Sequence, residues 1–171
     1  GVSQLLRQPE QLAYTFLVDG EMEETRLTYG ELDQRARAIG ALLQSSQAAG
    51  ERALLLYPPG LDYITAFFGC LYAGVIAVPA YPPRPSRLSR SLPRLQAIIN
   101  DCQPILALSI APMQSMLKSI AARNSSFQTL EWLATDELDG ALSERWQEPS
   151  IDEGTLAFLQ YTSGSTATPK G

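Results

Sequence analysis

Residues 61–80 read LDYITAFFGCLYAGVIAVPA and carry a single charge, that of Asp62. Twenty residues this apolar are long enough to cross a bilayer as one helix. The pattern inside them argues against that. Up to Ala73 the stretch suits a buried helix, and Gly74 is the residue type that ends helices. The run Val75-Ile76-Ala77-Val78, closed by Pro79, suits a buried strand. A helix, a glycine stop and a strand account for all of it without a transmembrane segment.

The same alternation extends outward. Upstream, Ala53-Leu54-Leu55-Leu56-Tyr57 is an apolar run ended by Pro58-Pro59-Gly60. Downstream, a proline-rich loop leads to a helix from about Ser91 to Cys102 and a strand from Ile105 to Ser109. A helix over about Ala111 to Arg123 and a strand over Thr129 to Leu133 follow. Residues 136–152 read as a polar, irregular loop, and Thr155 to Tyr161 as a last strand. Continuously apolar strands separated by helices predict an α/β fold, a mostly parallel sheet with helices on both faces. In such sheets ligands gather beyond the carboxyl ends of the strands.

Before this layer, Thr28-Tyr29-Gly30-Glu31 has the form of a capping box. Leu32, Ala36, Ile39 and Leu43 then recur on one helical face, and the helix should run to about Gln47 and yield near Gly50. Ala13 to Val18 and Glu23 to Thr28 suggest a hairpin around Asp19-Gly20. The expected organisation is a hairpin and helix over approximately residues 1–50, then an α/β layer over 51–171.

Composition narrows the function. The chain has 171 residues, 45% hydrophobic and 18% charged, which suits one globular core and excludes disorder. A net charge of -5 argues against a nucleic-acid partner, where basic surface supplies most of the affinity. There is no histidine, so His-based triads, His metal sites and the usual general base are all excluded. Cys70 and Cys102 fall in apolar helical patterns and read as two buried thiols rather than a disulfide. Reduced thiols fit a cytoplasmic protein. The chain opens at Gly1 without a charged-then-apolar leader, so a secretory signal is not expected.

The last residues, Leu159 to Gly171, read LQYTSGSTATPKG. From Thr162 to Thr166 every residue except Gly164 carries a hydroxyl. Hydroxyls and backbone N–H groups donate to phosphate oxygens, glycine admits close approach, and Lys170 adds a mobile positive charge. Gly164 to Gly171 has the interval of a P-loop, but Pro169 precedes the lysine and Gly171 follows it. Pro169 has no N–H to offer, and the hydroxyl that would reach Mg²⁺ is missing. The run is therefore a different anion-binding loop. A flexible Ser/Thr/Gly linker is the plainer alternative, but a linker would not normally leave directly from a buried strand.

TSGSTATPKG is similar to the signature of the adenylate-forming superfamily, which includes acyl-CoA synthetases, adenylation domains of peptide synthetases and luciferases. A second stretch, Gly74 to Arg84 (GVIAVPAYPPR) with Arg94-Leu95 and Asp101, resembles the fatty acyl-AMP ligase branch. Leu159-Gln160-Tyr161 suits that branch too. The resemblance extends from Leu27-Thr28-Tyr29 onward, over nearly the whole chain. It implies an enzyme that activates a fatty acid with ATP and Mg²⁺ to acyl-AMP. The acyl group would then pass to the phosphopantetheine thiol of an acyl carrier protein, in a polyketide or nonribosomal peptide synthetase line.

By the same resemblance, Thr162, Ser163, Gly164, Ser165, Thr166 and Lys170 would hold the β- and γ-phosphates of ATP. Ala167 stands where the family usually has glycine. If that position requires φ > 0, alanine costs about 1 kcal/mol or more. The Mg²⁺ carboxylate, the adenine contacts, the rest of the acyl tunnel and the catalytic lysine would all lie beyond Gly171. No catalytic residue and no metal ligand is thus expected in this stretch. It is read as the N-terminal part of an AMP-binding domain, inactive by itself.

Other readings differ at specific features. An acyl-CoA synthetase or an amino-acid adenylation domain shares the closing motif, although the Pro-Pro-Arg loop weighs against both. A non-catalytic binding or scaffold module is consistent with Ala167. Arg84, Arg87, Arg90 and Arg94 cluster in an acidic protein, either as a docking patch for an acidic carrier protein or a phosphate, or as a solvated loop and helix start. Trp132 and Trp146 have no partner evident from the sequence, and packing is the default for both.

Overall fold

The structure, a computed structural model, describes residues 12–17, 24–149 and 159. Strands β1 (Leu12–Leu17) and β2 (Glu24–Thr28) pair antiparallel, with a register shift between Leu12 and Tyr14. Helix α1 (Tyr29–Ser45) starts directly after them. The Thr28 side chain accepts a hydrogen bond from the Glu31 N–H at 3.1 Å, as the capping box requires. The Glu31 carboxylate in turn accepts from the Thr28 hydroxyl, also at 3.1 Å. Leu32, Ala36, Ile39 and Leu43 are buried as their spacing predicts. The helix ends two residues before the expected Gln47, which itself adopts φ 55.

Four strands form the parallel sheet: β3 (Arg52–Leu55), β4 (Ile76–Pro79), β5 (Leu106–Ser109) and β6 (Glu131–Ala134). Their order is β4-β3-β5-β6. Helices α2 (Leu61–Ala73), α3 (Leu88–Cys102) and α4 (Ala111–Ala121) make the crossovers. Strand β6 begins two residues later than Thr129, because Leu130 turns into the core ahead of the ladder. Strand β3 is shorter than the apolar run, yet the Leu56 N–H still bonds the Leu108 carbonyl at 2.9 Å.

Alternation along the strands sorts the core into two layers. Ala53, Leu55, Tyr57, Ala77, Leu106 and Leu108 face Ile39 and Leu43 of α1 and Ala66, Cys70 and Ala73 of α2. Leu54, Leu56, Val78 and Ala107 face Leu95, Ile98 and Ile99 of α3 and Leu117 of α4. Both faces are covered, which is why the strands read as unbroken apolar runs. Each fully buried leucine contributes about 1.5–3 kcal/mol. Cys70 and Cys102 are buried, form no disulfide and lie in opposite layers.

The stretch 61–80 folds as its pattern predicts. Gly74 adopts φ 68 and ψ 29 at the end of α2, and the Val75 N–H bonds the Cys70 carbonyl at 2.9 Å. Among the described residues no helix is long and apolar enough to cross a membrane.

Two local expectations are corrected. Helix α3 begins at Leu88, not Ser91, after a 3-10 turn over Pro85–Arg87. The Ser91 hydroxyl donates to the Arg87 carbonyl at 2.9 Å and accepts from the Arg84 N–H at 3.1 Å, tying the loop to the helix. Pro93 is accommodated because it and Ser89, whose carbonyl loses a donor, both face solvent. The second correction concerns residues 136–149, where the expected irregular loop contains a short helix. A 3-10 helix over Gly140–Arg145 packs on α1 and delivers Trp146 between α1 and α2. The Trp146 Nε1–H donates to the Tyr72 carbonyl at 2.8 Å, and the Arg37 guanidinium lies 4.5 Å from its ring centre. The expected strand over Thr155 to Tyr161 lies outside the described residues apart from Leu159.

Candidate functional site

The carboxyl ends of β3, β5 and β6 are held together by polar side chains. The Ser109 hydroxyl, fully buried, donates to the Leu56 carbonyl at 2.6 Å. Tyr57 and Thr135 share a hydroxyl–hydroxyl bond of 2.6 Å. The Thr135 N–H donates to the Ser109 carbonyl at 3.0 Å. Each group sits at or just past the end of a strand, where the chain leaves the ladder and its polar atoms need new partners.

Asp136 adds a longer-range contact. Helix α4 follows Ile110, whose side chain cannot cap. Asp136 Oδ1 accepts the Ala111 N–H at 2.9 Å instead, supplying a carboxylate at the positive end of the helix.

Beside these residues a cavity of about 300 Å³ opens between α1, the start of α2 and the chain after β6. Its polar lining comes from Gln34, Arg35, Asp62, Thr65, Thr135 and Asp136. Burial raises the Asp62 pKa above its usual value, the Asp136 charge adds to this, and Arg35 opposes it. Burial also raises the Tyr57 hydroxyl far above its ordinary range and pushes the Cys70 thiol up to about 12. Among the described residues no three His, Cys, Asp or Glu side chains gather to hold a metal ion. The described part of this edge therefore offers hydrogen-bonding groups and a carboxylate pair, and the Tyr57 hydroxyl stays protonated at neutral pH.

Leu159 connects this frame to the closing motif. The N–H groups of Ile76 and Ala80 donate to the carbonyls of Glu51 and Leu55, so these alternate residues of the β4 segment face β3. Ala77 lies between them and points its carbonyl away from β3, where it accepts the Leu159 N–H at 2.8 Å. The Leu159 side chain packs on the layer formed by α3 and α4. Thr162, Ser163, Gly164, Ser165, Thr166, Ala167 and Lys170, which sequence reasoning selected, lie outside the described residues.

Sequence reasoning missed the Tyr57–Thr135 pair, the Asp136 cap and the anchoring of Trp146. The only local signal was a polar or hydroxyl-bearing residue at the carboxyl end of each apolar run. Of the four clustered arginines, Arg84, Arg87 and Arg90 are exposed and Arg94 is partly buried.

Comparisons with known proteins agree with this geometry. The family model described as AMP-binding enzyme matches residues 3–171. The medium-chain-fatty-acid–acyl-carrier-protein ligase JamA of Moorena producens (strain JHB) is 53% identical over 165 residues, 96% of this chain and 28% of that protein. The long-chain-fatty-acid–AMP ligase FadD32 of Mycobacterium marinum (strain ATCC BAA-535 / M) is 36% identical over 166 residues, 95% of this chain and 26% of that protein. A crystal structure of a fatty acyl-adenylate ligase from L. pneumophila, in complex with acyl adenylate and pyrophosphate, superposes with a TM-score of 0.83. Its sequence identity is 42%, covering 99% of this chain and 28% of that one. The chain thus spans little more than a quarter of the length of these relatives. With its parallel sheet, its closing motif and this match over nearly its full length, the chain belongs to the AMP-binding enzyme family.

Proposed function

We propose that the chain is the N-terminal part of the adenylation domain of a fatty acyl-AMP ligase. A carboxylate oxygen of the fatty acid attacks the α-phosphorus of ATP, the bond to the β-phosphate oxygen breaks, and pyrophosphate leaves. The thiol of a carrier protein's phosphopantetheine arm then attacks the acyl carbon. A C–S bond forms, AMP departs and the thiol proton passes to solvent. The reading includes Mg²⁺ held by residues elsewhere in the enzyme, a cytoplasmic location, and a place in a polyketide or nonribosomal peptide synthetase line.

The observation that carries this reading is the Leu159–Ala77 hydrogen bond. It sets the chain beside β4, on the edge away from β3, three residues before the hydroxyl run begins. A phosphate grip beyond the carboxyl ends of a parallel sheet is where this architecture places ligands. Thr162, Ser163, Gly164, Ser165, Thr166 and Lys170 would hold the β- and γ-phosphates there and stabilise the charge on departing pyrophosphate. Tyr57, Ser109, Thr135 and Asp136 keep the neighbouring strand ends fixed, which supports positioning rather than proton transfer.

Pyrophosphate exchange by the full-length protein, with fatty acids and amino acids compared, tests the reading. Fatty-acid-dependent exchange is expected, and exchange driven only by amino acids would overturn it. Lys170→Ala should lower kcat/KM for ATP by about ten- to a hundredfold, the loss of a charge-assisted contact of roughly 1.5–3 kcal/mol. An unchanged rate would remove Lys170 from the phosphate site.

A further inference from the structure

Between Asp62 and Asp101 the chain contains no acidic residue, yet it carries Arg84, Arg87, Arg90 and Arg94. The structure gathers these four at the start of α3. Arg87 at its N-cap, Arg90 and Arg94 follow at spacings of three and four and form one stripe. None of them has an ion-pair partner among the described residues. The first turn of α3 contains no acidic side chain, so the positive end of the helix adds to their field. Like charges four apart, as at Arg90 and Arg94, destabilise an isolated helix by a few tenths of a kcal/mol. No described carboxylate offsets that cost.

A second observation falls at the same place. Tyr81, 82% exposed, is the one large hydrophobic side chain left open to solvent among the described residues. It stands three residues before Arg84, in the loop that leaves the carboxyl end of β4. An exposed tyrosine beside unpaired arginines is the composition that dominates the energetic centres of protein interfaces. The Ser91 bonds to Arg84 and Arg87 hold this loop in place, which reduces the entropy lost on docking.

We propose that Tyr81, Arg84, Arg87, Arg90 and Arg94 form the docking surface for the acidic face of an acyl carrier protein. The inference rests on the ligase reading above and assigns that partner to a surface. Charge complementarity selects an acidic partner. Position selects one that must reach the carboxyl edge of the sheet, because β4 both receives Leu159 and leads into Tyr81. A carrier's flexible thiol arm has to enter there to meet the adenylate. An anionic membrane fits less well. It would also face the rest of a chain of net charge -5, and a single exposed aromatic ring gives little to insert.

The test uses the intact ligase with a fatty acid, ATP and a phosphopantetheinylated carrier protein. Pyrophosphate exchange and carrier loading are measured separately. In the triple variant R84E/R87E/R90E, exchange should stay within about twofold of wild type. Loading should lose about tenfold or more in kcat/KM, mainly through KM, and its salt dependence should flatten. R84Q/R87Q/R90Q and Tyr81→Ala should each give a smaller loss in loading alone. Wild-type loading in the charge-reversed variant would overturn the proposal. So would an equal loss of exchange and loading, which would place the arginines in the adenylation step. Loss of binding to phosphatidylglycerol vesicles with loading intact would give the patch to a membrane instead. If the wild-type enzyme shows no fatty-acid-dependent exchange, the ligase reading itself fails and takes the docking assignment with it.

Discussion

The hydroxyl of Tyr57 lies 2.6 Å from that of Thr135, so the chain just past β3 is tied to the chain just past β6 across β5. Neither residue belongs to a strand, and they are 78 positions apart in sequence. The bond closes the carboxyl edge of the sheet beside the polar cavity. Tyr57→Phe should therefore cost about 1 kcal/mol, the net worth of a typical hydrogen bond. In a Thr135→Val background the same change should cost much less, because the pair acts as a unit. Denaturant midpoints of the four proteins in this cycle measure the coupling. Strict additivity would mean that the two hydroxyls do not support each other.

Helices α1 and α2 touch at a glycine. A Cβ built on Gly69 would fall 2.6 Å from the Ile39 Cβ, an atom next to the backbone of α1 that cannot swing away. Gly69→Ala should destabilise the protein by about 1–3 kcal/mol through overpacking, despite alanine's better helix propensity. A urea titration reads the effect, and a stabilised variant would show that the two helices separate freely.

Trp146 and Gly40 make a second coupled pair. A Cβ on Gly40 would meet the indole Cδ1 at 2.9 Å. Trp146→Ala should cost about 2–3 kcal/mol, since it removes a partly buried ring, its bond to the Tyr72 carbonyl and the Arg37 contact. Gly40→Ala should be damaging in wild type and much less so in the Trp146→Ala background. Thermal melts of the singles and the double decide this, and equal effects of Gly40→Ala in both backgrounds would count against the docking of the tryptophan.

Asp62 gives a pH dependence with a defined sign. Its folded-state pKa is raised above the ordinary aspartate value of 3.8, first by burial and then by the Asp136 charge. The folded state therefore holds the proton more tightly than the unfolded state. The contribution favours folding below pH 3.8 and is lost as pH rises through the folded value. Asp62→Asn should raise the melting temperature at pH 7, with the gain shrinking as pH falls toward 4. A gain that grows at low pH would reverse the assigned cause.

Much of the architecture is legible locally. The Thr28 cap, the α1 face through Leu32, Ala36, Ile39 and Leu43, and the Gly74 stop all depend on residues within a few positions of one another. The apolar runs of β3, β4 and β5 show their burial on both faces in their composition alone. The closing hydroxyl run and the Pro-Pro-Arg loop carry the family signal, because each is a run of neighbours in sequence.

Other features are set by contacts between residues far apart in the chain. The order β4-β3-β5-β6 depends on which crossovers pack over which face, and helical spacing carries no record of it. Ile110 cannot cap α4, and the carboxylate that does so stands 25 residues after Ala111, whose N–H it accepts. Trp146 finds its place only because Gly40 leaves room beside Tyr72. The sequence by itself determined the sheet strands, the long helices, their alternation and the family, since hydrophobic period, caps and backbone-permissive residues act over a few bonds. Tertiary structure alone decided which polar groups meet at the carboxyl edge, because a buried hydrogen bond takes whatever partner the packing brings within about 3 Å.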